Sequence, residues 1–433
     1  MKQYALLALI AATYCWAGCK SPAPGLFGKR TPHEMYSARI SDAGLEQTAL
    51  GRLWKAAAAQ SLSQPVTVNL PYSEEGYFSA DKPLALGLRF IVKRGEKVRI
   101  ALSVNSRPRA IVYLDLWEMR PDGPKALAAA DTAASILEYE PDASTSLLVR
   151  MQPELLTSGD YTLNITTGPS LAFPVQGGNR ASIGSLWGAD RDGGARRHEG
   201  IDIFGKKRTP LLAVAPGTVN RVESTNLGGK VVWLRPEGKD YSVYYAHLDE
   251  QLVRSGQRVQ TGDTVGLLGN TGNAKHTAPH LHFGIYTFGG AVDPLPFVNP
   301  LVKTPPRVTG SPDIQRVRTK AATTKIYHAP NSDTGFHSVP QHTFMSVQAA
   351  MAGYYRVSLP DGREGYVNTG SVVGLGTPLR QLPVKTAAVI REAPDSLAPR
   401  KLQLAAGTKV AVLASYNRYH FVQHEGTEGW IEL

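Results

Sequence analysis

Apolar and polar positions alternate with a period of two along most of this chain, the pattern of strands that bury one face. From Val66 to about Gln176 it marks Leu86 to Val92, Val98 to Val104, Ile111 to Trp117 and Tyr161 to Thr166. Turn residues separate these runs, which predicts a β-sandwich. The alternation returns in Val243-Tyr-Tyr-Ala-His-Leu-Asp249 and in His280-Leu-His-Phe-Gly-Ile-Tyr286. Between Pro32 and Ser63 the composition favours helix, and Leu45, Leu50, Leu53 and Trp54 fall close to one helical face, so a packing helix is expected there. Behind Lys2, the apolar run Ala5 to Ala12 is too short to span a membrane and reads as a secretory signal.

Past the linker at Thr304-Pro305-Pro306 a repeat begins. Ile326-Tyr-His-Ala-Pro330 recurs as Ile390-Arg-Glu-Ala-Pro394, and Gly365-Tyr-Val367 as Gly429-Trp-Ile431. Tyr355 and Tyr419 fall into register at the same offset, so two short all-β units are expected. The chain thus divides into a signal (1–19), a tether with a packing helix (20–63), a sandwich (64–178), a third β-rich domain (179–303) and two repeats (310–375 and 376–433). The fold class is mostly β and multidomain.

The 433 residues carry a formal charge of +11. No block of like charge concentrates it and no nucleic-acid recognition motif accompanies it, which favours basic residues on solvated faces and argues against nucleic acid as a partner. A polyanionic envelope remains a partner class. Of the two cysteines, Cys15 would leave with the signal. Cys19 closes Trp16-Ala17-Gly18-Cys19, which resembles a bacterial lipoprotein cleavage site, although Trp16 stands where an aliphatic residue is usual. That resemblance implies several acyl chains on Cys19, enough for stable membrane anchoring, and a periplasm-facing lipoprotein of the envelope, of the outer rather than the inner membrane. No cysteine pair would then remain for a disulfide, and stability must come from cores.

The chemistry gathers in the third domain. On a strand, His280 and His282 share one face with Cα atoms roughly 6–7 Å apart, close enough for one to hold a metal while the other reaches its open position. Upstream, His198 and Asp202 supply an imidazole and a carboxylate. Two histidines and an aspartate suit zinc and leave a fourth position for water. On a straight strand His198 and Asp202 would stand about 13 Å apart, beyond the reach of one ion. A bend at Glu199-Gly200, with Gly200 at positive φ, is therefore expected. His247, ending a strand-like run, is a candidate second catalytic histidine.

These motifs, His198-x-x-x-Asp202, Tyr245-x-His247-Leu and His280-Leu-His282-Phe, resemble in type and order the lysostaphin-type murein zinc metallopeptidases. The likeness covers about Ile183 to Pro300 and includes Ala213-Val-Ala-Pro-Gly217-Thr-Val219, Val259 to Gly266 and Gly269 to Gly272. It implies a β-rich peptidase domain of the duplicated hybrid motif type holding one Zn²⁺. It assigns His198, Asp202 and His282 as metal ligands, His247 and His280 as catalytic histidines, and peptidoglycan as substrate and ligand. His276 stands where many relatives carry glycine, as a spectator or as a narrowing of the groove. Ser158-Gly-Asp-Tyr161 resembles the jelly-roll modules that accompany secreted bacterial peptidases. The repeats resemble bacterial Src-homology-3-like (SH3-like) barrels, in which Tyr354, Tyr366 and Trp430 would line a groove or fill the core. Two other readings compete. The Ala215-to-Val219 and Val259-to-Val265 segments resemble carrier domains, but neither a presented lysine nor a cytosolic setting fits, and a carrier does not explain Asp202. A peptidase fold serving as a non-catalytic binding or activating module would have lost ligands, and here every ligand position is filled.

Overall fold

The computed structural model describes residues 30–132, 135–311, 314–330 and 335–432. The expected signal, Cys19 and the tether up to residue 29 lie outside the described residues. Among the described residues no helix is long and apolar enough to cross a membrane.

Thr31 opens the first helix, Pro32–Asp42, through a reciprocal cap: its hydroxyl accepts from the Glu34 N–H while the Glu34 carboxylate accepts from the Thr31 N–H. Gly44, at φ 69°, turns the chain, and Thr48 caps a second helix, Ala49–Ser63. The expected apolar face does not form: Leu45 falls in a short 3-10 turn before Thr48, and of the neighbours Leu53 and Trp54 in the second helix only one turns inward. Trp54 is buried, stacked on His33 at 4.8 Å and donating to the Pro153 carbonyl, while Leu45 and Leu53 are exposed.

Two sheets build the sandwich. One runs in the order Val66–Thr67, Leu86–Val92, Thr145–Pro153, Val112–Arg120, Gly123–Ala129; the other in the order Tyr72–Phe78, Gly159–Pro169, Glu96–Asn105, Ile136–Tyr139. Their inner residues, such as Leu88, Leu116 and Val149 against Ile100, Leu163 and Ile165, form one core. The second sheet continues: Glu75 and Gly76 pair antiparallel with Ala350 and Ala349 of Phe344–Ala350, which makes an eleven-stranded sheet shared with the first tail unit.

The tail repeats in space as in sequence. Thr323–Tyr327, Phe336–Pro340, Phe344–Ala350, Tyr354–Ser358 and Glu364–Asn368 correspond in order to Ala388–Arg391, Arg400–Leu404, Lys409–Tyr416, Tyr419–His424 and Thr427–Glu432. Tyr366 and Trp430 are buried and belong to cores, Trp430 packing 5.0 Å from Phe344 and 5.2 Å from Phe421. Tyr354 is half-buried.

Between these parts lies the domain that carries the histidines. Its eight-stranded sheet contains β1 (Ile183–Ser185), β2 (Ile201–Phe204), β3 (Gly217–Thr225), β4 (Gly229–Pro236), β5 (Ser242–Leu248), β6 (Arg258–Val259), β7 (His280–Thr287) and β8 (Gly290–Val292), in the order β1-β2-β7-β5-β4-β3-β6 with β8 beside β7. Alternation sends Ile201, Ile203, Val232, Leu234, Val243, Tyr245, Leu281, Phe283 and Ile285 into one core, closed by Leu211 and Val265 of a smaller three-stranded sheet. The opposite face of the large sheet is left for the site.

Candidate metal centre

Register brings the three motifs together: β2 and β7 pair with Asp202 opposite His282, and β5 pairs with β7 with Ala246 opposite His282. His198 arrives from the loop before β2. Its Nε2 lies 3.0 Å from Asp202 Oδ1 and 2.9 Å from His282 Nδ1, and those two atoms are 3.1 Å apart. The expected bend is present, but Gly200 is not at positive φ. Glycine is required there by crowding: a Cβ would sit 2.6 Å from the Phe283 carbonyl oxygen and 2.7 Å from the His282 ring.

Three lone-pair atoms converging this closely repel one another unless a cation or protons stand among them. A tetrahedral zinc ion with bonds near 2.0–2.1 Å holds its ligand atoms about 3.3 Å apart. The triangle of His198, Asp202 and His282 matches that within a few tenths of an ångström, so the residues present fit the metal. The Leu186 carbonyl, 2.9 Å from His198 Nδ1, can only accept, which fixes the N–H at Nδ1 and leaves Nε2 free to ligate.

His247 and His280 flank the triangle. Carbonyls of Thr271 and Ala278 accept from their Nδ1 atoms at 2.9 and 2.8 Å, leaving each Nε2 as a base. His280 Nε2 lies 4.0 Å from Asp202 Oδ1, and the His247 and His280 ring centroids are 5.0 Å apart. Strict alternation would turn His247 into the core. Instead β5 carries an extra residue against β4: Lys230 pairs with Leu248 and Val232 with Tyr245, so Ala246 and His247 both face the site. His247 takes up this bulge at φ 65°, a left-handed conformation uncommon for a side chain of its size.

With protons rather than a cation among the three atoms, burial opposes ionisation of Asp202, yet hydrogen bonds from protonated His198 and His282 outweigh it and hold the carboxyl well below the usual carboxylate range. Burial and then the neighbouring His280 and His282 pull His247 down to about 4, so it is neutral at neutral pH. Burial also lowers His282, against its bond to Asp202.

The structure gathers His198, Asp202, His247, His280 and His282 in one open groove of about 770 Å³, whose described lining residues all lie between Ser185 and Tyr286. His276 is exposed and is not among those lining residues. Sequence reasoning missed Arg191. It comes from the hairpin Asp190–Arg191 and Arg196–Arg197, and its Nη2 donates to Asp202 Oδ2 at 2.6 Å and to Ser185 Oγ at 2.8 Å. No spacing announces an arginine that reaches the site from a loop. Tyr286, also missed, was readable, since it stands four residues from His282 on the same strand; Tyr244 was not, because it stands three residues from His247 and shares its face only through the bulge.

Two imidazoles and a carboxylate aimed at one point, with two further imidazoles beside it, define a metal-dependent hydrolase centre. Residues 196–294 match the model of Peptidase family M23, and this domain belongs to that family. An uncharacterized metalloprotease of Haemophilus influenzae is 36% identical over 157 residues, covering 35% of this chain and 31% of that protein. The peptidoglycan DD-endopeptidase ShyC of Vibrio cholerae is 34% identical over 137 residues, covering 32% of this chain and 28% of that protein. An L-Ala--D-Glu endopeptidase of Bacillus subtilis is 34% identical over 137 residues, covering 29% and 42%. The chain therefore spans less than half the length of each of these relatives.

Proposed function

We propose that this chain is a zinc-dependent metalloendopeptidase that hydrolyses peptide bonds in the cross-links or stems of peptidoglycan. The reading rests on His198 Nε2, Asp202 Oδ1 and His282 Nδ1 lying within 3.1 Å of one another at the floor of an open groove. When bound, zinc supplies Lewis acidity and lowers the pKa of a water toward about 7. One of His247 and His280 takes the proton of the attacking water through Nε2. The other, protonated, donates to the oxyanion that develops on the amide carbonyl. Both roles need a ring held with its Nε2 free for the reaction, which the Thr271 and Ala278 carbonyls provide by accepting from Nδ1.

Relatives named for DD- and for L-Ala--D-Glu cleavage share the fold region, so the bond cut here is a separate question. The lipoprotein-like signal favours a double-membrane envelope and hence direct stem-to-stem cross-links over glycine bridges. In the same reading Cys19 carries the lipid anchor, and the tail units act as SH3-like modules that raise the local concentration of cell-wall peptides. Purified peptidoglycan digested with the protein should release fragments cut at direct cross-links, a chelator should stop this, and added zinc should restore it. Fragments released equally in chelator would overturn the metalloenzyme; glycine-bridge scission with intact direct cross-links would overturn the bond assignment.

A further inference from the structure

The face that carries the metal centre does not end there. On β7 the same side of the strand passes from His282 through Gly284 to Tyr286, on β5 from Ala246 through Tyr244 to Ser242, and on β4 from Trp233 to Arg235. Tyr244 stands opposite both Gly284 and Trp233, and Trp233 opposite Arg221 of β3. The rings touch in sequence. Tyr244 lies 6.0 Å from His282, Trp233 4.4 Å from Tyr244, and Tyr286 5.2 Å from Trp233. Gly284 leaves the room: a Cβ there would come within 2.8 Å of the Tyr286 ring.

This pavement leads from the metal groove into a second cavity of about 440 Å³, which shares Trp233 and Tyr286 with the first. Its walls include Arg221, Arg235, Asn220, Ser242 and the fully exposed ring of Phe288 at the tip between β7 and β8. The one carboxylate in that lining, Asp240, is met by Arg94 of the sandwich at 3.6 Å. The Arg221 side chain has only a long, exposed contact to Glu223 at 3.4 Å, and the Arg235 guanidinium has no hydrogen-bond or ion-pair partner among the described residues. The cavity therefore offers two guanidinium forks with little to satisfy them, at the end of an apolar track. A guanidinium fork matches a carboxylate in a planar, bidentate manner.

We infer that this second cavity is a specificity subsite that binds a carboxylate-bearing arm of the substrate peptide, with Arg235 and Arg221 as its anion-binding groups and Trp233, Tyr244 and Tyr286 as the floor on which the intervening peptide lies. Tyr286 stands four positions along the strand from His282, roughly 13 Å, so the carboxylate sits about four extended residues from the bond that is cut. The inference rests on the peptidase reading, because it supposes that one peptide crosses both cavities.

Binding separates the two. Full-length zinc-loaded protein with His247→Ala, whose turnover is cut about 10²–10⁴-fold, is titrated with purified cross-linked muropeptides whose carboxylates are either free or amidated, followed by tryptophan fluorescence and calorimetry. Amidation should weaken binding roughly tenfold. The pair Arg221→Gln and Arg235→Gln should weaken binding of the free acid by a similar factor and make amidation nearly inconsequential, since the two changes remove the same contact. In the otherwise unaltered enzyme the loss should appear as a raised KM for the free acid. Both arginines are exposed, so melting temperature should not move and a folding defect would be seen as such. The inference is overturned if amidation weakens the arginine variants as much as the parent, or if neither change alters binding. Failure of the peptidase reading looks different: the unaltered enzyme would bind these ligands, with the same dependence on charge, and cut none of them.

Discussion

At the residue level the ligands were legible and their support was not. His198, Asp202, His247, His280 and His282 could be picked out because three separated motifs stand in the order of a known peptidase family; a His-x-His on a strand face is by itself as often two satisfied, partly exposed histidines. Arg191 was invisible, since its place depends on how a hairpin folds over Asp202. Gly200 was singled out for a reason the structure corrects, close approach rather than positive φ. Distinct failures are expected on substitution. Alanine at His198, Asp202 or His282 should empty the site, whereas alanine at His247 or His280 should leave zinc bound and cost about 10²–10⁴ in turnover. Arg191→Ala belongs between them. With Oδ2 released, the carboxylate can rotate away from the position that presents Oδ1, and zinc affinity should fall about 10–100-fold without being lost. His276→Ala should alter neither quantity much. Zinc affinity by competition with a chelating dye, measured beside turnover of one soluble substrate, tests the set. If His280→Ala lost zinc and His282→Ala kept it, the assigned register of the site would be reversed.

At the level of elements, period-two alternation located β5 and β7 and put His280 and His282 on one face, but it would have sent His247 into the core. The bulge that re-aims it leaves no mark in Tyr244-Tyr-Ala-His247, because its cause is the pairing with β4, whose register shifts beside Val231. In the helical segment Leu45 was left in a 3-10 turn ahead of the second helix, and within that helix Trp54 went to the core while Leu53 went to solvent. The bulge carries its own test. Asn tolerates the left-handed region and can still donate toward the Thr271 carbonyl, whereas a β-branched side chain crowds that conformation. His247→Asn and His247→Val should both lose activity, but the valine variant should be less stable than the asparagine variant by about 1–2 kcal/mol in chemical denaturation. Equal stabilities would mean that the backbone at His247 relaxes without cost.

At the scale of the molecule, the tail repeats were legible from their fixed offset, while the join between tail and sandwich was not. Glu74 and Arg356, 282 residues apart in sequence, meet where Phe344–Ala350 extends the sandwich sheet. Arg356 Nε and Nη2 donate to the two Glu74 oxygens at 3.1 and 3.2 Å, Tyr161 donates to the same carboxylate at 2.7 Å, and both charged side chains are almost wholly buried. A linear pattern cannot announce such a pair, since each residue alone reads as an ordinary charge on a strand. The tail is consequently seated on the sandwich through a buried ion pair as well as through strand pairing. Removing one partner of such a pair strands a desolvated charge, so Arg356→Ala should cost about 3–5 kcal/mol in the full chain. Combining Glu74→Leu with Arg356→Met should recover part of that loss, though not all, because the Tyr161 hydroxyl then lacks its acceptor. Denaturant melts of the three proteins decide it. A cost of only about 0–1 kcal/mol for Arg356→Ala, the range of an exposed pair, would mean that the sandwich and the first tail unit are not joined in this way. If the larger cost is found, deleting the chain after Pro306 also uncovers the Tyr72–Phe78 edge and Glu74, so the tail's part in wall binding is better measured by surface substitutions in the full chain than by truncation.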